Sequence, residues 1–182
     1  DIPFTGVLLP TVQAACTKTR NGKIGVIGTA ATIKSGSYGK AIRNIRSDVS
    51  IIGKACPLFV PLVENGRFRP GDTVIETVAR EYLAPLRDTG IDTLIMGCTH
   101  YPLLAEVIGG VMGPEVTLVD SGAEAARALK RELTQRELLA DRGCGGMTLY
   151  ASDRPEDFGA VAGMFLGRPL DSAVRPVNIE EY

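Results

Sequence analysis

Cys98 and His100 stand two residues apart in Gly97-Cys-Thr-His-Tyr-Pro-Leu-Leu104, and His100 is the only histidine of the chain. Their types and spacing suit proton chemistry. The preceding run, Asp92-Thr-Leu-Ile-Met-Gly97, reads as a buried strand. Pro102 suits the first turn of a helix, where a missing N–H costs nothing. A thiol at that strand-to-helix turn faces the partial positive charge of a helix N-terminus, which is expected to lower its pKa. A histidine in the same turn can relay or supply a proton. The pattern describes a thiolate base or nucleophile. A buried structural cysteine beside a surface histidine describes it equally well.

Glu64 is the second candidate. It ends Cys56-Pro-Leu-Phe-Val-Pro-Leu-Val-Glu64, an apolar segment with two prolines that turns abruptly polar. A carboxylate there can sit at a cleft edge and tune a neighbouring proton donor. A helix-end acid pointing to solvent is the plainer reading. The other thiols read as incidental. Cys56 precedes Pro57 in an apolar setting and behaves as a small hydrophobe. Cys16 reads as part of a small-residue helix that packs on a sheet, and Cys144 as an exposed thiol between glycines. Gly25-Val-Ile-Gly28 lacks the G-x-G-x-x-G spacing and is not followed by a P-loop lysine, so it argues little for nucleotide binding.

These residues need a scaffold, and the chain is long enough for one large domain or two small ones. Of its 182 residues, 45% are hydrophobic and 23% charged, so it buries a core and is not disordered. Net charge is −1 without a basic cluster, which excludes nucleic acid as an expected partner. No apolar run approaches about 18 residues, so no membrane span is expected, and the N-terminus has no signal-peptide pattern. The four cysteines form no C-x-x-C pair, and no histidines pair. That argues against zinc and disulfides and suits a reducing cytosol.

Apolar strands alternate with amphipathic helices. Strands are read at Lys23 to Gly28, Asp48 to Gly53, Thr93 to Gly97 and Val116 to Val119, and shorter ones at Met147 to Ala151 and Val174 to Ile179. Thr29 to Ser37 reads as a polar turn before a helix near Tyr38 to Arg46. Apolar spacing predicts a helix over Gly71 to Asp88, kinked or shortened by Pro85. Further helices are read from Pro102 to about Gly109, from Ala123 to Leu139 and near Glu156 to Leu166. This alternation implies an α/β fold with a mainly parallel sheet. Ligands bind at strand carboxyl ends in such sheets, which singles out Thr29, the Ala55-Cys-Pro57 turn and Cys98. The opening Asp1-Ile-Pro-Phe-Thr-Gly-Val-Leu-Leu9 reads as the middle of an α/β unit, so a front portion is expected upstream.

Together these residues resemble the glutamate racemase family, cofactor-independent enzymes that make D-glutamate for bacterial cell walls. Gly97 to Leu104 is similar to the family's second catalytic-cysteine motif. Ile24 to Ser35 and Ala55 to Gly66 are similar to two further family segments, in the same order. The resemblance implies two similar parallel-sheet α/β lobes with the active site between them. Residues 1–21 and 122–182 would form a first, incomplete lobe and 22–121 the second. It implies that Cys98 is the base acting on L-glutamate, assisted by His100 and Glu64, and that Thr99 and His100 contact substrate. It implies no cofactor and no metal, L- and D-glutamate as the small-molecule ligands, a cytoplasmic setting, and it allows a homodimer.

One departure stands out. The family's first cysteine lies in an Ala-Cys-Asn-Thr type of motif, and its early aspartate-serine and tyrosine-glycine contacts lie upstream too; none is in this sequence. Racemisation needs one group to take a proton and another to return it on the opposite face. Cys98 serves one face only, so these residues alone are not expected to racemise. Two other readings stay open: another racemase of the aspartate/glutamate superfamily, and a non-catalytic binding or interaction domain derived from one.

Overall fold

The computed structural model describes residues 4–140, 143, 145–170 and 173–181. Four parallel strands form the main sheet: β1 (Lys23–Gly28), β2 (Ser50–Ala55), β3 (Thr93–Met96) and β4 (Thr117–Asp120), in the order β2-β1-β3-β4. All of β3 is buried, as befits a strand covered on both faces. Alternate residues feed opposite cores. Leu94, Met96 and Ile27 face one, and Ile95, Ile24 and Val26 face the other.

Helices cover both faces. α1 (Leu8–Lys18), α3 (Ser37–Ile45) and α7 (Ser121–Gln135) lie together, with Val12, Ala15 and Cys16 of α1 packed against Tyr38, Ala41 and Ile42 of α3. Lys18 reaches Glu124 of α7 at 2.7 Å. On the other face lie α4 (Phe59–Glu64), α5 (Thr73–Arg87) and α6 (Ala105–Met112), the last entered through a 3₁₀ turn, Tyr101–Leu104. After β1 the chain crosses through α2 (Ala30–Ser35) and α3 to β2. It then returns past β1 through α4 and α5 to β3. The direction of winding reverses between β1 and β3, and the crevice at the carboxyl ends of those two strands is where such sheets bind ligands.

Several elements differ from the sequence reading. Thr29 to Ser37 is not a plain turn: Thr29 caps α2 by accepting from the Thr32 N–H, and Gly36 ends that helix in the left-handed region at φ +64°. The proline-rich segment after Cys56 forms α4, an element the apolar pattern alone does not assign. Pro85 does not shorten α5, which runs to Arg87. An interior proline costs about 3 kcal/mol, and burying Leu83 and Leu86 recovers about 1.5–3 kcal/mol each. α7 starts at Ser121, capped by Asp120, and stops at Gln135, short of Leu139.

The chain divides into two compact units, Asp1–Leu139 and Ala140–Tyr182. The second is a small βαβ unit: β5 (Tyr150–Ala151) pairs in parallel with β6 (Arg175–Pro176) across α8 (Pro155–Leu166). Its strands are shorter than the sequence suggests, although the Arg175 and Val177 N–H groups on either side of Pro176 donate to the Leu149 and Ala151 carbonyls at 2.9 and 3.0 Å. Phe158, Phe165 and Leu166 of α8 are exposed. Cys144 lies outside the described residues.

Candidate functional site

Gly97 makes the turn after β3 possible. Its N–H continues the ladder to the Ile27 carbonyl at 2.8 Å. A Cβ there would stand 2.9 Å from that carbonyl oxygen and 3.0 Å from Cε2 of Tyr38, so no larger residue fits without displacing backbone. Cys98, Thr99 and His100 follow at the carboxyl edge of the sheet. The Cys98 carbonyl accepts from the Tyr101 N–H at 3.2 Å, and the His100 carbonyl from the Leu103 N–H at 3.2 Å.

His100 joins two of the candidates. Its Nε2 lies 3.2 Å from Oε1 of Glu64, and its Nδ1 lies 3.3 Å from the Thr99 hydroxyl. A neutral imidazole satisfies both contacts with one tautomer: Nε2–H donates to the carboxylate, and Nδ1 accepts from Thr99. Glu64 is the last residue of α4 and its side chain is 49% exposed, against 19% for His100. The acid is therefore at a helix end, as the plainer reading has it, yet it reaches the histidine.

The Cys98 thiol corrects one expectation. Its pKa is raised, not lowered. Burial is the largest cause; the backbone N–H of His100, the Thr99 side chain and the backbone N–H of Tyr101 pull it down, and the Glu64 carboxylate pushes it up again. The turn does offer donors to a thiolate. A single four-residue 3₁₀ turn is too short to outweigh desolvation. Cys56 is fully buried and its thiol is pushed up to about 12, mainly by burial; Cys16 is buried in α1 and also raised. Both are packed residues, as read from the sequence.

Thr29 takes its place beside this turn. Pairing of Ile27 with Met96 sets Gly28 opposite Gly97, so Thr29 and Cys98 leave the two strands that flank the reversal. The Thr29 and Thr32 hydroxyls meet at 3.0 Å. Thr32 and Tyr38 escape a reading based on apolar periodicity. The signal for Thr32 is present as a Thr-x-x-Thr capping spacing. Tyr38 is buried, and its hydroxyl meets Ser121, whose own hydroxyl donates to the Met96 carbonyl at 3.0 Å. This backs the Gly97 turn from below. Among the described residues no group of three His, Cys, Asp or Glu could hold a metal ion, and no helix is long and apolar enough to cross a membrane.

Comparison with known proteins finds relatives along the chain. A family model for Asp/Glu/Hydantoin racemase matches residues 1–129. A curated glutamate racemase of Geobacter metallireducens is 46% identical over 181 residues, covering 99% of this chain and 66% of its own length. The crystal structure of glutamate racemase isoform RacE1 from Bacillus anthracis superposes with a TM-score of 0.88 at 36% identity, covering 98% of this chain and 66% of that one. That of glutamate racemase from Francisella tularensis in complex with D-glutamate gives 0.85 at 31%, covering 97% and 64%. The chain therefore spans just under two thirds of the length of the relatives it matches.

Proposed function

Because this chain belongs to the Asp/Glu/Hydantoin racemase family, we propose that it carries one half of the proton-transfer machinery of a glutamate racemase. The complete enzyme interconverts L- and D-glutamate without a cofactor and supplies D-glutamate for peptidoglycan in the cytoplasm. The observation that carries the reading is the Cys98-Thr99-His100 turn at the sheet reversal, with Glu64 held against His100. The identity of glutamate, rather than aspartate or a hydantoin, is supported by the curated relative and by the D-glutamate complex of the Francisella enzyme.

In the forward direction the Cys98 thiolate takes the Cα proton of L-glutamate, and the electron pair of the broken C–H bond passes into the α-carboxylate. The backbone N–H groups of His100 and Tyr101 and the Thr99 hydroxyl stabilise the thiolate before it acts. A raised thiol pKa makes the thiolate scarce but a stronger base once formed. His100 relays the proton that Cys98 must lose, and Glu64 orients the imidazole. Thr99 and His100 also meet the substrate. A second group returns a proton to the opposite face. The family's Ala-Cys-Asn-Thr segment, which supplies that group, is not in this sequence, so the opposite base is assigned to the first lobe, to which 1–21 and 122–182 contribute.

The test is hydrogen exchange at Cα in deuterated water, with the gene's full product and either L-glutamate or L-aspartate. Exchange and inversion of glutamate, lost in Cys98→Ala, are expected. Turnover of aspartate alone would move the assignment within the family, and full turnover by Cys98→Ala would overturn it.

A further inference from the structure

Tyr101 directly follows His100 and is fully buried. Its hydroxyl donates to the Cys56 carbonyl at 2.9 Å. Its ring meets Phe59 edge-on, with centroids 5.3 Å apart and planes at 85°, and Phe59 in turn meets Tyr82 at 5.5 Å. Cys56 lies in the turn that opens α4, Phe59 is the first residue of that helix, and Glu64 is its last. One side chain thus grips the start of the element whose end carries the acid.

The contact between His100 and Glu64 does not hold itself in place. Half-exposed ion pairs of this kind contribute about 0–1 kcal/mol and do not fix long side chains. A buried aromatic pair adds about 0.5–1.5 kcal/mol beyond the area it buries, and a buried hydroxyl needs its partner. Burial keeps the Tyr101 phenol well above its ordinary range, so it remains a donor at any working pH. The six residues of α4 form a rigid rod about 9 Å long, and the placement of its first turn sets the placement of its last.

We propose that Tyr101 is a positioning residue: its hydroxyl bond to Cys56 and its ring against Phe59 seat α4 so that Glu64 meets His100 beside Cys98. The proposal rests on the reading of Cys98, His100 and Glu64 as one working site.

The experiment is a double-mutant cycle on the 182-residue chain, using Glu64→Gln, Tyr101→Phe and both together. The readout is the pH midpoint of Cys98 alkylation by iodoacetamide, followed by peptide mass. The titratable groups around this thiol are Glu64 from α4, Tyr38 from α3, and His100 and Tyr101 of its own turn, and the Glu64 carboxylate is the one whose charge raises it. Removing its charge should lower the midpoint by on the order of 0.5 pH unit. In the Tyr101→Phe background the same change should move it less than half as far, because the carboxylate is no longer held nearby. Equal shifts in both backgrounds would overturn the proposal. No shift from Glu64→Gln in the parent chain would overturn the site reading and the proposal with it. A second measurement is the nuclear Overhauser contact between the single histidine ring and the Glu64 methylenes. It should weaken in Tyr101→Phe, and full retention counts against positioning. A merely structural tyrosine lowers the melting temperature and moves neither readout. Should Tyr101→Phe not fold, Phe59→Leu tests the same seat.

Discussion

Asp92 takes the hydroxyl of Thr19 at 2.7 Å across 73 residues of sequence. The same carboxylate accepts from the backbone N–H groups of Arg20 and Asn21, each at 2.6 Å, and from the Thr93 hydroxyl at 2.9 Å. It ties the loop after α1 to the amino end of β3, the strand that carries the Cys98 turn at its other end. Burial alone would raise its pKa, but these four bonds together hold the carboxyl below the usual range. A depressed folded pKa contributes stability that is present above the unfolded value of about 3.9 and lost as pH falls through the folded value. The acid limb of the stability curve should therefore fall below about pH 4. Asp92→Asn places an amide where two N–H groups need acceptors and should lower stability at pH 7 by about 2–3 kcal/mol. Urea unfolding at pH 7 and pH 2.5 checks this: the gap between variant and parent should narrow at the lower pH, and a constant gap would remove the electrostatic argument.

Gly97→Ala tests the turn itself. The added methyl would press on the Ile27 carbonyl oxygen and the Tyr38 ring. A ring can move by a few tenths of an ångström, but a carbonyl within the ladder cannot. The variant should lose about 1–3 kcal/mol, as overpacked sites do, and should shift backbone amide signals of residues 98–100 most. Stability equal to the parent would mean that the turn has slack.

Much of the scaffold is legible in the sequence. β1 and β3 are short apolar runs near glycines, and α5 shows a full apolar stripe, so the alternation of strand and helix declares a parallel sheet. α2 hides because six residues carry no stripe, and its start is written only in the Thr29 and Thr32 hydroxyls. The Cys98 turn is marked by Pro102. The direction of its pKa is not, because the burial that raises it comes from packing Cys98 against a core cluster that includes Cys56, Phe59 and Val63, residues distant in sequence. Glu64 and His100 lie 36 residues apart, and no periodicity links them; in the sequence the pairing enters only through the family resemblance.

Among the thiols of the described residues, Cys98 should react first. All three are raised by burial, but Cys98 is half-buried and faces two backbone N–H groups, whereas Cys56 is fully buried with a thiol near 12. Thiolate fraction falls about tenfold for each unit of pKa. Iodoacetamide at pH 8 should modify Cys98 at least about tenfold faster than Cys56, with Cys16 also behind. Peptide mapping over time separates them, and faster loss of Cys56 or Cys16 would contradict the packing described.

The last expectation concerns the reaction. Assayed by itself, the 182-residue chain should not interconvert L- and D-glutamate, and should exchange the Cα hydrogen slowly if at all. In the proposed reading Cys98 with His100 and Glu64 serves one face, and inversion requires a donor on the other. The carbanion also needs a closed, preorganised polar site, and each ~1.4 kcal/mol of lost transition-state contact is tenfold in rate. Joined to an upstream segment that carries an Ala-Cys-Asn-Thr motif, the chain should racemise. In that longer protein His100→Asn should cut kcat by about 10²–10⁴-fold, the usual contribution of a positioned proton-transfer group, while changing KM less. Circular dichroism of glutamate solutions follows the inversion directly. Rapid inversion by the 182-residue chain would show that a second base lies within it, and the one-face assignment of Cys98 would fall.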